Sequence, residues 1–106
     1  MSTISTNAKI MTLINTFTLK SGRQEDLIKI LDAATSEVMS KLPGFISANI
    51  HASADGKYVA NYAQWNSIEE FKAMLKDTHA QEHMAKCTEL ADASPIKYEV
   101  SSVFER

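Results

Sequence analysis

The dipeptide Asp55-Gly56 stands between two runs, residues 45–53 and 57–65, in which apolar and polar residues alternate. Asp-Gly supplies the backbone freedom that a tight turn between antiparallel strands needs, so the pattern predicts a β-hairpin. A hairpin in the middle of a 106-residue chain leaves room on each side for about one more strand and its helix. Both flanks carry that pattern. Residues 9–20, KIMTLINTFTLK, alternate and are rich in Ile, Thr and Phe, which predicts a first strand.

Ser21 and Gln24 then have the spacing of a capping box, and Glu25 and Asp26 suit the positive end of a helix. Leu27, Leu31, Ala34 and Val38 recur at helical spacing, and Pro43-Gly44 ends the segment. Beyond the hairpin, Ser67 and Glu70 form a second capping box ahead of Phe71, Met74 and Leu75. A further helix is predicted over residues 78–91, with His83 and Cys87 on one stripe, and Pro95 restarts the chain into a fourth strand over residues 96–104. The order βαββαβ predicts a ferredoxin-like α+β domain over residues 10–106. Its four-stranded antiparallel sheet has strands one and three at the centre. Residues 1–9, small and polar, read as a loose arm.

Composition narrows the function classes. The net charge of −2 offers no basic footprint for nucleic acid or an anionic membrane. No apolar run is long enough for a membrane span or a signal peptide, which makes the cytoplasm the expected location. One cysteine, Cys87, excludes an internal disulfide and a multi-cysteine zinc site.

The faces of the sheet carry most of the functional information. On strand one, Asn15 is a polar residue in the apolar row Met11, Leu13, Phe17 and Leu19. On strand three, Asn61 and Trp65 share a face. The hairpin register decides what joins them. A two-residue loop pairs His51 with Ala60; a three-residue loop with Gly56 left-handed pairs His51 with Val59. The second is favoured, because it gathers Asn49, His51, Asn61 and Trp65 on one face. It leaves Ile46, Ala48, Ile50, Tyr58 and Tyr62 on the other. That other face carries no charge on strands one to three, and a homodimer through the sheet is expected to cover it.

The segments LINTFTLKSGRQEDLIKIL and LPGFISANIHASADGKYVANYAQWNSIEEFKAML resemble the antibiotic-biosynthesis monooxygenase family. The most telling pieces are Pro43-Gly44-Phe45, Asn61-Tyr62-Ala63-Gln64-Trp65 and Phe71. The resemblance implies a dimeric α/β barrel of two ferredoxin-like subunits. It also implies a pocket between sheet and helices, and oxidation by O₂ of a small quinol, anthrone or related enolisable aromatic. Several members need no flavin, haem or metal, so no cofactor is expected. It carries the strand-one asparagine onto Asn15 and the hairpin-end pair onto Asn61 and Trp65. His51 matches a strand-two position able to remove a substrate proton. These four are the expected catalytic residues, with Phe17, Asn49, Met74 and His83 binding substrate. Asparagine amides suit the chemistry because they stabilise an anion by fixed donors without titrating. An isomerase or lyase using the same pocket, and a non-catalytic ligand-binding dimer, are the alternatives.

His79-Ala80-Gln81-Glu82-His83 has the spacing of an inverted zincin motif, but the only other histidine, His51, is on a strand. The motif is read as accidental and no metal is expected. Haem-degrading relatives place a tryptophan on a helix where this chain has Met74, which argues against haem degradation. Cys87 reads as a small buried hydrophobe, and no Gly-rich dinucleotide loop is present.

Overall fold

The computed structural model describes Thr3, Ile4, Thr6 and residues 10–106. Four strands, β1 (Met11–Leu19), β2 (Phe45–Ala52), β3 (Tyr58–Trp65) and β4 (Ala91–Tyr98), form one sheet. The sheet order is β2-β3-β1-β4, with every neighbouring pair antiparallel. Helix α1 (Gln24–Glu37) joins β1 to β2, and α2 (Ile68–Leu75) and α3 (Thr78–Leu90) together join β3 to β4. This is the ferredoxin-like α+β plan, with β1 and β3 central. The arm expected over residues 1–9 lies mostly outside the described residues. Within it, the Thr3 carbonyl accepts a hydrogen bond from Gln64 Nε2 at 2.7 Å.

Leu13, Phe17, Val59, Ala63 and Trp65 alternate along β1 and β3 and turn their side chains toward the helices. The buried side chains fall into two clusters. One joins Leu13, Ala63 and Trp65 to Phe71, Met74 and Ala80. The other joins Phe17 and Val59 to Leu27, Leu31, Cys87 and Ala91. The break between them falls at a single rung of the sheet, where Asn15 of β1 stands opposite Asn61 of β3.

Several local expectations are corrected. Helix α1 is capped by Arg23, not Ser21: the Asp26 carboxylate accepts from the Arg23 N–H at 3.1 Å. Ser21 instead serves the end of α3, where its hydroxyl donates to the Glu89 carbonyl and its N–H to that of Leu90. Gln24 ties the helix to the hairpin, its Nε2 donating to the carbonyls of Ser53 (3.0 Å) and Tyr58 (2.8 Å). The helix stops at Glu37, and a short 3₁₀ turn (Met39–Lys41) fills the space before Pro43. Strand β4 begins at Ala91 and runs through Pro95. It is an edge strand, where a residue without an N–H is tolerated.

The hairpin register is the correction with functional weight. His51 pairs with Ala60 and Ala52 with Val59, not His51 with Val59. The loop has four residues, 54–57, closed by the Ser53 N–H on the Tyr58 carbonyl, with the Gly56 N–H on the Ser53 carbonyl. Gly56 takes φ +76°, as foreseen, but in this longer turn. The Asp55 carboxylate accepts from the Ser53 hydroxyl (2.7 Å) and the Lys57 N–H (2.9 Å), bonds that hold its pKa below the ordinary value. An even loop shifts β2 by one residue from the favoured register, and one residue exchanges the faces. Ala48 and Ile50 therefore turn toward the helices, while Ser47, Asn49 and His51 join Ala60, Tyr62 and Gln64 on the open face. A bulge between Phe45 and Ser47 then returns Phe45 to the helix side, opposite Trp65.

Candidate active site

Between sheet and helices lies a cavity of about 450 Å³, reaching from Phe17 at one end to Trp65 and Phe71 at the other. That is ample for a ligand of a few fused rings. Its walls come from both core clusters, and its floor includes the Asn15–Asn61 rung that separates them. Trp65 is 2% exposed and is wedged edge-to-face between Phe45 (centroids 5.5 Å apart) and Phe71 (6.1 Å). Such aromatic contacts fix a large flat side chain in one orientation.

Within this largely apolar enclosure the two asparagines bring in buried polar atoms. Oδ1 of Asn15 and Oδ1 of Asn61 are both buried, and neither has a hydrogen-bond partner. A buried polar atom left unpaired costs about 1–3 kcal/mol, so two on one rung call for a ligand that supplies donors. Asn15 and Asn61 do not bond each other, although their Cα atoms are paired across the strands.

Asn15, Asn61, Trp65 and Phe17 from the sheet and Met74 from α2 therefore line one cavity. His51, Asn49 and His83 do not. His51 is exposed on the opposite face of the sheet, and Asn49 beside it donates to the Tyr62 carbonyl at 3.3 Å. A three-residue loop would put both in the pocket, and the four-residue turn excludes that register. On α3 the inward stripe is Ala80, Met84 and Cys87, and His83 lies one position off it. His79 is exposed and meets Glu82 at 3.8 Å. Among the described residues no three His, Cys, Asp or Glu side chains gather as a metal site. Burial pushes the Cys87 thiol up to about 11, so it stays protonated at neutral pH and is a poor nucleophile.

Four polar contributors escape a reading of the sequence: Thr35, Lys72, Thr88 and Lys97 border the cavity. Lys97 reaches the helix side through the register of β4 with β1, which local sequence does not specify. Lys72 follows Phe71 on a helix whose polar side looks like ordinary solvated surface. Nothing in the spacing of either marks it.

The sequence profile of the family described as "Antibiotic biosynthesis monooxygenase" matches residues 10–86. The chain belongs to that family. Tetracenomycin-F1 monooxygenase of Streptomyces glaucescens is 38% identical to it over 104 residues, 98% of this chain and 93% of that protein. The protein is a monooxygenase of this family. Among solved structures, SnoaB of Streptomyces nogalater, a cofactor-independent oxygenase, superposes with a TM-score of 0.85 at 17% identity, over 93% of this chain and all of that one. The ActVA-Orf6 monooxygenase of Streptomyces coelicolor, in complex with nanaomycin D, gives a TM-score of 0.80 at 25% identity over 91% of each chain. The family's ferredoxin-like subunit is thus the fold seen here. Among the described residues no helix is long and apolar enough to cross a membrane.

Proposed function

We propose that this monooxygenase oxidises a hydroxylated, enolisable polycyclic aromatic, an anthrone or quinol, with O₂ and without a flavin, haem or metal. The observation that carries the reading is the pair of buried, unpartnered amide oxygens of Asn15 and Asn61 on an apolar wall beside Trp65. Phenolic hydroxyls supply the donors those oxygens lack, and the amide N–H groups can in turn hold an adjacent phenolate or enolate oxygen. The comparison with tetracenomycin-F1 monooxygenase and with a cofactor-independent oxygenase of the same fold supports the same chemistry.

In an anthrone the reacting carbon is a CH₂ group whose anion is delocalised over the rings. Loss of one proton gives the enolate. The enolate gives one electron to O₂, and the resulting radical pair joins to form the C–O bond of a peroxide. Loss of the second C–H proton breaks the O–O bond and leaves a carbonyl. One oxygen atom enters the product and the other leaves as water, so the substrate supplies all four electrons. With His51 on the far face, no imidazole or carboxylate among the described residues lines the cavity. The anion then arises from the substrate's own acidity, stabilised by the asparagine donors. A dry apolar enclosure strengthens those hydrogen bonds and shields the intermediates from water.

The test is O₂ uptake with a panel of anthrones and quinols after dialysis against chelator, with nothing added. Turnover with one O₂ consumed per quinone formed supports the reading. Dependence on added flavin or metal removes the cofactor-free mechanism. Turnover of an enolisable substrate without O₂ consumption favours an isomerase.

We also propose that the molecule is a homodimer joined through the open sheet face. Tyr58, Ile96 and Tyr98 are 42–49% exposed there, beside the half-buried Ile14 and Tyr62. The Tyr62 hydroxyl is buried without a partner. A face of this composition is better matched by a second sheet than by water.

A further inference from the structure

Trp65 lines the cavity, and the residue before it, Gln64, points the other way, onto the face of the sheet opposite the helices. Gln64 is nevertheless 2% exposed, and Ser47 of β2 and Thr12 of β1, which flank it on the same rung, are buried with it. Both ends of the Gln64 amide are committed. The Thr3 carbonyl can only accept, so Nε2 donates to it, at 2.7 Å. Oε1 is thereby turned toward the Ser47 hydroxyl, which donates to it at 2.8 Å. One buried side chain thus joins β2, β3 and the segment ahead of β1.

This tie sits beside the bulge. From Phe45 to Ser47, β2 advances two residues while β3 advances one, from Trp65 to Gln64. An extra residue interrupts the ladder locally, so backbone pairing alone holds this stretch less firmly than an unbroken ladder would. The outer side of the bulge is pinned by the Asn66 N–H, which donates to the Gly44 carbonyl at 2.7 Å. The inner side is pinned by the bond between Ser47 and Gln64. On the helix side of the same point, the Phe45 ring meets the indole edge-on, with the two planes at 89°.

We infer that Gln64 is a positioning residue for the oxygenase reaction: bonded to Ser47 and to the Thr3 carbonyl, it fixes the bulge from behind, and the bulge holds Phe45 against Trp65 so that the indole keeps one orientation in the cavity. Gln64 and Ser47 lie on the far side of the sheet from the substrate and act through Trp65. The inference rests on the reading of the cavity as the oxygenase site and adds the device that keeps its tryptophan in place. A misplacement of about 1 Å in an active site can cost about 10²-fold in rate, so a ring free to rock loses part of its effect.

The chain has a single tryptophan, so its spectroscopy reports Trp65 alone and needs no substrate. Ser47→Ala breaks the bond to β2, Gln64→Met keeps the length of the side chain but breaks both bonds, and Ser47→Thr keeps the hydroxyl. In Ser47→Ala and Gln64→Met, the fast component of the Trp65 fluorescence anisotropy decay, which reads rocking of the ring, should about double in amplitude. The tryptophan band in near-ultraviolet circular dichroism should shrink. With an anthrone as substrate, kcat should fall about tenfold while KM stays within about twofold. Ser47→Thr should restore all three readouts. A lower urea midpoint with Trp65 motion, dichroism and kcat unchanged would show that the tie serves stability only, and overturns the inference. Loss of kcat with unchanged Trp65 signals, or a loosened Trp65 with unchanged kcat, overturns it as well. If Gln64→Met does not fold, Ser47→Ala, which removes a single hydroxyl, decides the matter. If the wild type turns over no anthrone, the oxygenase reading falls, while the spectroscopic comparison still decides whether Gln64 holds Trp65.

Discussion

At the scale of single residues, Asn15 and Asn61 are where polarity and burial conflict. On the proposed function, the ligand completes them. Replacing either with alanine should lower kcat on an anthrone by roughly 10²–10³, the effect of removing one preorganised donor from an oxyanion-type site. The same substitution removes an unsatisfied buried group, so the midpoint of urea unfolding should hold or rise while activity falls. A parallel loss of both would mean that the asparagines serve the fold. His51 gives the opposite expectation. It is exposed on the far face, so His51→Ala should keep kcat within about twofold, and a large loss would place the base on β2 after all. Cys87 reports on burial through pH. Its thiol is raised from 9.0 to about 11 in the folded protein, so the folded state keeps a proton that the unfolded chain releases first. That contribution to stability is complete below pH 9 and is lost as the pH climbs toward 11. Urea titrations across this range should show wild type falling relative to Cys87→Ala. A constant difference between the two would show that the thiol titrates normally.

At the scale of elements, the turn around Pro43-Gly44-Phe45 sets the entry to β2 and one end of the cavity. Gly44 has φ +87°, and a Cβ there would run into the Glu70 side chain, which belongs to the α2 cap. The Ser67 hydroxyl accepts from the Glu70 N–H at 3.2 Å, and the Gly44 carbonyl accepts from the Asn66 N–H at 2.7 Å. Gly44→Ala should therefore cost more than about 1 kcal/mol from backbone strain alone. Adding Glu70→Ala should recover the steric part and leave the backbone part, a coupling measurable in a double-mutant cycle. The Ser67 cap of α2 was legible because its hydroxyl accepts from the Glu70 N–H as the spacing says, although the Glu70 carboxylate is met by the Ser67 hydroxyl. The expected Ser21 cap of α1 does not form. Ser21 has an equally good claim on the far end of α3, a contact remote in sequence, and takes it.

At the scale of the whole molecule, the two faces of the sheet have different tasks. The helix side holds the cavity. The other bears a row of Thr, Tyr and Ile side chains with no helix over it. If that face joins two copies, light scattering at micromolar concentration should give twice 11.7 kDa. Ile96→Asp, which would bury an unpaired charge at such an interface, should shift the mass toward one copy. A wild-type monomer would leave the face to solvent. Ile50, expected on this surface, packs instead with the helix-side cluster.

The alternation of β1 and β3, the stripe Leu27, Leu31 and Ala34, and the polar break at Asn15 are properties of local order along the chain. Period two and period 3.6 suffice to read them. So the sequence alone determined the βαββαβ plan and set Asn15, Asn61 and Trp65 in apolar rows of their strands, while the pairing of Asn15 with Asn61 is a matter of register. The remainder of the site depended on parity. One residue more in the hairpin loop sends His51 and Asn49 out and Ala48 and Ile50 in, and a bulge at β2 turns Phe45 back toward Trp65. Those outcomes rest on hydrogen bonds among Ser53, Asp55, Lys57 and Tyr58, and on Gln24 gripping the hairpin from another element. Lys97 faces the cavity only because β4 pairs with β1 so that it stands opposite Leu13. Register is a relation between segments far apart in sequence, and it is settled when they pack; only the tertiary structure contains it.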